Sequence, residues 1–241
     1  MHTIVLATHK GGSGKSTLAV GLALAAMEAG HVVRLIETCQ LGTLSHWQGR
    51  RADAEKLVEP VYAAGDIAPR LAAIEDEGVT LAIVDTAAAG AATTSAIRLA
   101  DLCLIPARPS IADIEATALT LRELRAANAP FAFVLNQTPI RGQRISTAAG
   151  TLGGSALDIP DVVAQPFIAM RNDHQDALRA GLAVSEYAPE SKAAEEIRGL
   201  WNWIEERLGL AVVAGREEAA SDLPIVSISG IQAPAEAARF I

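Results

Sequence analysis

Three observations predict a doubly wound α/β domain, with a mostly parallel sheet and helices on both faces. Short apolar runs alternate with longer stretches of helical period. The runs are apolar throughout rather than alternating with polar residues, as expected of parallel strands covered on both sides. A glycine-rich turn joins the first run to the first helical stretch. With 241 residues, the chain is long enough for one well-buried domain and short for two. Residues 1–208 read as that domain, and residues 209–241 as a C-terminal tail or accessory segment.

Residues 3–7 read as the first strand. Residues 15–29 read as the first helix, with Leu18, Leu22, Ala25, Ala26 and Ala29 on one face and Gly30 as its stop. Residues 32–36 form a second apolar strand, and residues 81–84, 102–105 and 131–135 form three more. The clearest helical patterns between them cover residues 67–76, 91–100 and 112–126. Ser110 and Asp113 supply an N-terminal cap for the last of these. Residues 191–208 read as an amphipathic helix opening with Ser191. Residues 211–241 break the pattern: they hold Pro224, Pro234 and many small residues around a short β-like piece at 225–228.

Composition narrows the function. The net charge of −8 does not advertise nucleic-acid binding, so any DNA contact needs a local basic patch. Aromatic residues make up 4%, which argues against a base-stacking platform. No apolar run reaches the ~20 residues that cross a bilayer. The first six residues lack the basic segment and long apolar stretch of a secretory signal, so a cytoplasmic protein is expected. Cys39 and Cys103 suit neither a disulfide framework nor a metal cluster.

Residues 4–17 read I-V-L-A-T-H-K-G-G-S-G-K-S-T. A strand entering a glycine-rich turn that opens a helix is the setting of a phosphate-binding loop, and of a P-loop nucleotide-binding fold. Gly11, Gly12 and Gly14 let the backbone around Ser13 curl until its N–H groups point at phosphate oxygens. The helix N-terminus adds partial positive charge. Lys15 is placed to reach the β- and γ-phosphates, Ser16 to ligate magnesium, and Thr17 to meet the α-phosphate side. ATP and Mg²⁺ are the ligands expected. The apolar run at 81–84 ends in Asp85, an acid at the carboxyl end of a strand and the second magnesium-binding candidate.

The loop departs from the ordinary Walker A pattern. His9 stands where a glycine is usual, and a second lysine, Lys10, precedes the glycine pair. K-G-G-x-G-K-S-T resembles the deviant Walker A motif of the ParA/MinD ATPases. The resemblance extends, more softly, over nearly all of residues 1–208: the stretch 100–117, Val134-Leu-Asn-Gln137, residues 166–171, 176–181 and 191–198. It is greatest to small bacterial ParA partition proteins. The resemblance implies that Lys10 reaches across an ATP-bound homodimer to the partner's nucleotide, in a role comparable to an arginine finger. It also implies that Asn136 contacts the base, for which a carboxamide is suited because it both donates and accepts.

Two departures bear on catalysis. The family's D-x-D-P-Q segment, whose second acid is thought to position or activate the attacking water, is here Glu37-Thr38-Cys39-Gln40-Leu41. An un-ionised thiol does not replace a carboxylate. Nucleotide binding is expected to survive, and hydrolysis to be slow or to use Glu37 or Gln40. After Asp85, Thr86-Ala87-Ala88-Ala89-Gly90 replaces the Thr-Pro-Pro of many relatives; such a segment can still sense a γ-phosphate.

The resemblance implies a partitioning ATPase. It would dimerise on ATP, bind DNA without sequence preference, and be stimulated by a ParB-like adaptor on a plasmid, chromosome or other cargo. Arg141, Arg144 and Arg171 are the DNA-binding candidates, with Arg179 and Arg198 behind them. A ParA-like nucleotide clamp with little hydrolysis is the alternative. No membrane partner is expected, because residues 211–241 carry only Arg216 and Arg239 as basic residues, unlike a basic amphipathic anchor.

Overall fold

The computed structural model describes residues 1–51 and 56–210. In chain order the elements are β1 (His2–Leu6), α1 (Lys15–Glu28), β2 (Val33–Glu37), α2 (Thr43–Gln48), β3 (Val58–Pro60), α3 (Ala64–Asp76), β4 (Leu81–Asp85), α4 (Ala91–Arg98), β5 (Leu102–Ala107), α5 (Ile111–Ala126), β6 (Phe131–Leu135), α6 (Gln143–Gly154), α7 (Asn172–Arg179), α8 (Val184–Tyr187) and α9 (Lys192–Leu208). The tail expected at 209–241, with its β-like piece, lies outside the described residues from 211 onward.

The six strands form one sheet in the order β3-β2-β4-β1-β5-β6, and every pairing is parallel. Side-chain alternation along each strand divides the core into two layers. Ile4, Leu6, Leu35, Ile83 and Leu104 point to the layer filled by α1, α2, α8 and α9. Val5, Ile36, Val84, Ile105 and Phe133 point to the layer filled by α3, α4, α5 and α6. All ten are essentially inaccessible to water, and burying one such side chain contributes about 1.5–3 kcal/mol. The apolar runs read from the sequence are these doubly covered strands.

The helix boundaries follow local chemistry. Gly30 at φ 94 turns the chain after α1, and Gly209 at φ 61 ends α9. Ser110 accepts the Asp113 N–H at the start of α5, and Ser191 accepts the Ala194 N–H at the start of α9, as the sequence suggested. Gly21 of α1 faces Ile197 of α9 so closely that a Cβ would lie 3.2 Å from its side chain. The sequence did not disclose α2, β3, α6, α7 and α8. β3 is three residues long on a sheet edge, and α2, α7 and α8 are one to two turns. α6 carries three glycines and buries only Ala148 and Leu152, too sparse a pattern to register. α3 begins three residues before the expected start, with Pro69 inside it.

This topology positions the site. β1 lies between β4 and β5; α1 leaves β1 on one face, and α5 leaves β5 on the other. The strand order therefore reverses beside β1, and ligands of open α/β sheets bind outside the carboxyl ends of the strands at such a point. Among the described residues no helix is long and apolar enough to cross a membrane.

Candidate functional site

The glycine-rich loop leaves β1 at the switch point. Its base is fastened to both neighbouring strands. The Ala7 N–H donates to Leu104 O at 3.0 Å, and the Thr86 hydroxyl donates to Leu6 O at 2.7 Å. His9 is a structural loop residue. Its N–H donates to Thr120 Oγ1 at 3.2 Å, and its ring stands 3.4 Å from the Glu123 carboxylate of α5.

Beyond Lys10 the loop curls through two left-handed glycines, Gly12 at φ 76 and Gly14 at φ 91. A side chain on Gly14 would run into the Asn136 amide. Gly14 is also the N-cap of α1, so no side chain caps that helix, and its first turn holds no acid. The free first-turn N–H groups and the positive end of the helix are thus left for an anion. Two walls brace the loop from behind. Asn136 Nδ2 donates to Ser13 O at 2.8 Å, and Gln137 Nε2 donates to Gly12 O at 3.0 Å.

Asp85 ends β4 beside β1 and is 1% exposed. Ser16 Oγ donates to its Oδ2 at 2.6 Å, whereas its Oδ1 is buried without any hydrogen-bond partner. Burial pushes the Asp85 carboxyl up to about 6, against the Ser16 hydrogen bond and the Lys15 charge that favour ionisation. Half-buried Lys15 donates weakly to Thr8 O at 3.5 Å. Burial lowers its pKa, and the Asp85 charge opposes that shift. A buried carboxylate oxygen without a donor, next to a hydroxyl and an ammonium, is costly as it stands. It fits a hard divalent cation, which takes oxygen ligands. Ser16 and Asp85 are the residues that would hold Mg²⁺.

A cavity of about 300 Å³ opens over the loop, walled by residues 11–17, Cys39, Leu41, Thr43 and residues 85–88. Among the described residues Asp85 is its one carboxylate. Glu37 does not reach it. That side chain is fully buried and turns toward the start of α2, where its oxygens accept from Leu44 N at 2.7 Å, Ser45 N at 3.2 Å and the Ser45 hydroxyl. The expectation of a catalytic Glu37 thus meets a carboxylate spent as a helix cap. Cys39, at the position of the missing acid, is half-buried in the cavity wall.

A second cavity of about 170 Å³ continues past Gly14 and Thr17, toward Asn136, Ile168, Met170 and His174. Asn136 lines it, but both ends of its amide are engaged: Nδ2 on the loop, and Oδ1 accepting from Gln137 N at 2.9 Å. As placed, Asn136 braces the loop. Sequence reading missed His174; its signal lay only in its spacing from the segment 166–171.

The charged candidates separate. Lys10 is half-buried at the loop's start, with its N–H on Thr8 Oγ1 at 3.3 Å. Its charge is felt by Asp113 of α5. Burial pushes that carboxyl up, but hydrogen bonds from Arg108 and Ser110, with the charges of Arg108 and Lys10, hold it below its usual value. Arg141 and Arg144 are exposed between β6 and the first turn of α6, on the loop's side of the sheet. Arg171 is held instead by Glu196, at 2.6 and 3.2 Å, and Glu196 also accepts from Ala169 N. That half-buried pair leaves Arg171 little freedom for a phosphate. Arg179 pairs with Asp176, and Arg198 donates to Pro189 O.

Residues 4–212 match the model of the CobQ/CobB/MinD/ParA nucleotide binding domain. No curated protein matches the chain. Among solved structures, an ATP complex of Cyanothece McdA is 16% identical, with a TM-score of 0.64, over 88% of this chain and 97% of that one. The septum site-determining protein MinD of Pyrococcus horikoshii, complexed with Mg-ADP, is 18% identical, with a TM-score of 0.65, over 86% and 97%. A ParA family ATPase from Chlorobium tepidum is 16% identical, with a TM-score of 0.63, over 83% and 97%. At these identities the structures establish a shared fold, and the family model covers most of the sequence. The chain belongs to the CobQ/CobB/MinD/ParA nucleotide-binding family, the family of the MinD and ParA ATPases.

Proposed function

We propose that the chain is an ATP- and magnesium-dependent partitioning ATPase, which dimerises on ATP and binds DNA without sequence preference. The observation that carries the nucleotide part is the partner-free Asp85 Oδ1, buried beside the Ser16 hydroxyl and the uncapped start of α1. The loop N–H groups from Gly11 to Thr17 hold the phosphates, and Lys15 neutralises the β- and γ-phosphate charge. Ser16 and Asp85 would hold Mg²⁺, which would supply positive charge to offset the negative charge of the phosphates. Lys10, outside the cavity wall and not locked in an ion pair among the described residues, is the group offered to a second copy's nucleotide.

The DNA part is supported by Arg141 and Arg144, two exposed arginines on the rim that carries the nucleotide cavity. Placed there, a DNA contact would form or break with the state of the dimer. Release would follow turnover stimulated by a ParB-like adaptor on the cargo, and the ATP-bound protein would sit on the nucleoid within the cytoplasm.

One observation favours a second reading, a nucleotide clamp with little turnover. Among the described residues Asp85 is the only carboxylate lining the phosphate cavity, Glu37 is spent on α2, and Cys39 occupies the expected place of the water-positioning acid. Co-sedimentation with random-sequence DNA at fixed low salt, with ATP, ADP or no nucleotide, tests the main reading. Binding with ATP alone, lost in Lys10→Ala, is expected; no DNA binding in any state by a protein that demonstrably binds ATP would overturn it in favour of the clamp.

A further inference from the structure

We infer that His174 is a nucleoside-contacting residue of this site, acting through the partner-free nitrogen of its buried ring. The inference rests on the nucleotide-binding reading above and adds the part of the ligand beyond the phosphates.

His174 lies in the first turn of α7 and is 9% exposed. Its Nε2 is buried with no hydrogen-bond partner. The ring lines the 170 Å³ cavity, which shares Gly14 and Thr17 with the phosphate cavity. A ligand whose phosphates lie along the loop therefore continues, past those two residues, toward this imidazole.

Among the described residues, the other buried side chains of the cavity wall are the apolar Leu18, Ile168 and Ala169, and Asn136, which already makes one hydrogen bond at each end of its amide. Among the described residues His174 is the one buried side chain in that wall with a polar atom left without a hydrogen-bond partner. On its far side the ring meets only a space of about 10 Å³, walled by Thr17 and by apolar residues such as Val20, Ala177, Leu182 and Val184; that space is too small for a ligand, and the Thr17 hydroxyl makes no hydrogen bond to the nitrogen. A buried polar atom without a partner carries a desolvation cost, and here a ligand in the larger cavity is positioned to relieve it.

The ring's charge state agrees. Burial lowers the His174 pKa, and the charges of Glu196 and Asp173 oppose it only in part. A neutral imidazole has one donor and one acceptor, which suits the hydroxyls of a ribose or the edge of a base better than a further phosphate.

The test is calorimetric titration of the full chain with Mg²⁺ plus ATP, GTP or inorganic tripolyphosphate, for the wild type, His174→Leu and His174→Gln. His174→Leu is expected to weaken ATP about tenfold, the scale of one hydrogen bond, with tripolyphosphate changed less than about twofold and His174→Gln recovering part of the loss. Loss of ATP alone would assign the contact to the base, and equal loss of ATP and GTP to the sugar or ring; both support the inference. Unchanged ATP affinity, or equal weakening of ATP and tripolyphosphate, would overturn it. A wild type that binds tripolyphosphate as tightly as ATP would overturn it while leaving the phosphate loop reading intact. A wild type that binds none of the three would remove the nucleotide reading as well. Should His174→Leu fail to fold, the His174 ring ¹⁵N resonances of the wild type decide: a shift on adding ADP but not on adding tripolyphosphate is expected, and its absence would sink the inference.

Discussion

Ser16 Oγ donates to Asp85 Oδ2 at 2.6 Å across 69 residues of sequence, while the other oxygen of the same carboxylate lies buried with no donor. The pair joins the first turn of α1 to the end of β4, and β1 and β4 are register partners up to Leu6 and Asp85. An unfilled place in the hydrogen bonding is thus built beside a hydroxyl and a carboxylate on adjoining elements, at the carboxyl edge of the sheet. It has consequences for pH, for metal and for stability.

In metal-free protein, Asp85 keeps its proton to about pH 6, whereas the unfolded chain releases it near 3.8. The folded state therefore binds more protons across that window, and stability falls as pH rises through it, by about 3 kcal/mol in all. Asp85→Asn removes this dependence. Thermal melts without metal between pH 4.5 and 8 are expected to show the variant gaining on the wild type as pH rises. A constant offset between the two curves would contradict the assignment.

Magnesium competes with that proton. Mg²⁺-dependent ATP affinity is expected to weaken steadily below about pH 6 in the wild type and to be nearly absent at any pH in Asp85→Asn. Titration calorimetry with and without Mg²⁺ at pH 5.5 and 7.5 reads both effects.

Glu37→Ala is expected to act on stability and to spare binding. It removes the acceptor of the buried Leu44 amide and the half-buried Ser45 amide at the start of α2, a loss of roughly 1–3 kcal/mol. ATP affinity should stay within about threefold. A chemical denaturation curve beside a nucleotide titration separates this from a catalytic role, which would leave stability alone and lower turnover.

Cys39→Asp places a carboxylate in the wall of the phosphate cavity. Turnover is expected to rise at least about tenfold, the lower reach of water-positioning and acid–base contributions, with ATP affinity little changed. Steady-state phosphate release measures it. An unchanged rate would mean that another group already orients water.

Arg141→Ala and Arg144→Ala together should weaken ATP-dependent DNA binding and reduce its salt slope by about two, while Arg171→Ala should instead lower the melting temperature through the loss of its Glu196 partner. Fluorescence anisotropy with labelled random duplex over a salt series distinguishes the two.

The loop and its acid were legible in the sequence because each depends on local spacing. Glycine at 12 and 14 satisfies backbone angles that other residues resist, and a run such as Leu81–Asp85 shows its burial by composition. The same locality made the doubly wound fold readable, since strands such as β4, β5 and β6 are apolar on both faces and the long helices α5 and α9 each open on a serine cap. Short or glycine-rich elements escaped because three to six residues, or a helix with two buried side chains, carry too little pattern.

Side-chain allegiance was a different matter. Glu37 faces α2, Asn136 spends its amide on Ser13 across 123 residues, Arg171 is held by Glu196 from α9, and His174 is left without a partner in a cavity wall. None of these follows from neighbours in sequence. Chemistry-bearing residues and their order along the chain are set by local backbone needs and hydrophobic period. Which of them stays free for a ligand is set by whatever donors and acceptors packing brings within about 3 Å, and only the assembled sheet and its helices decide that.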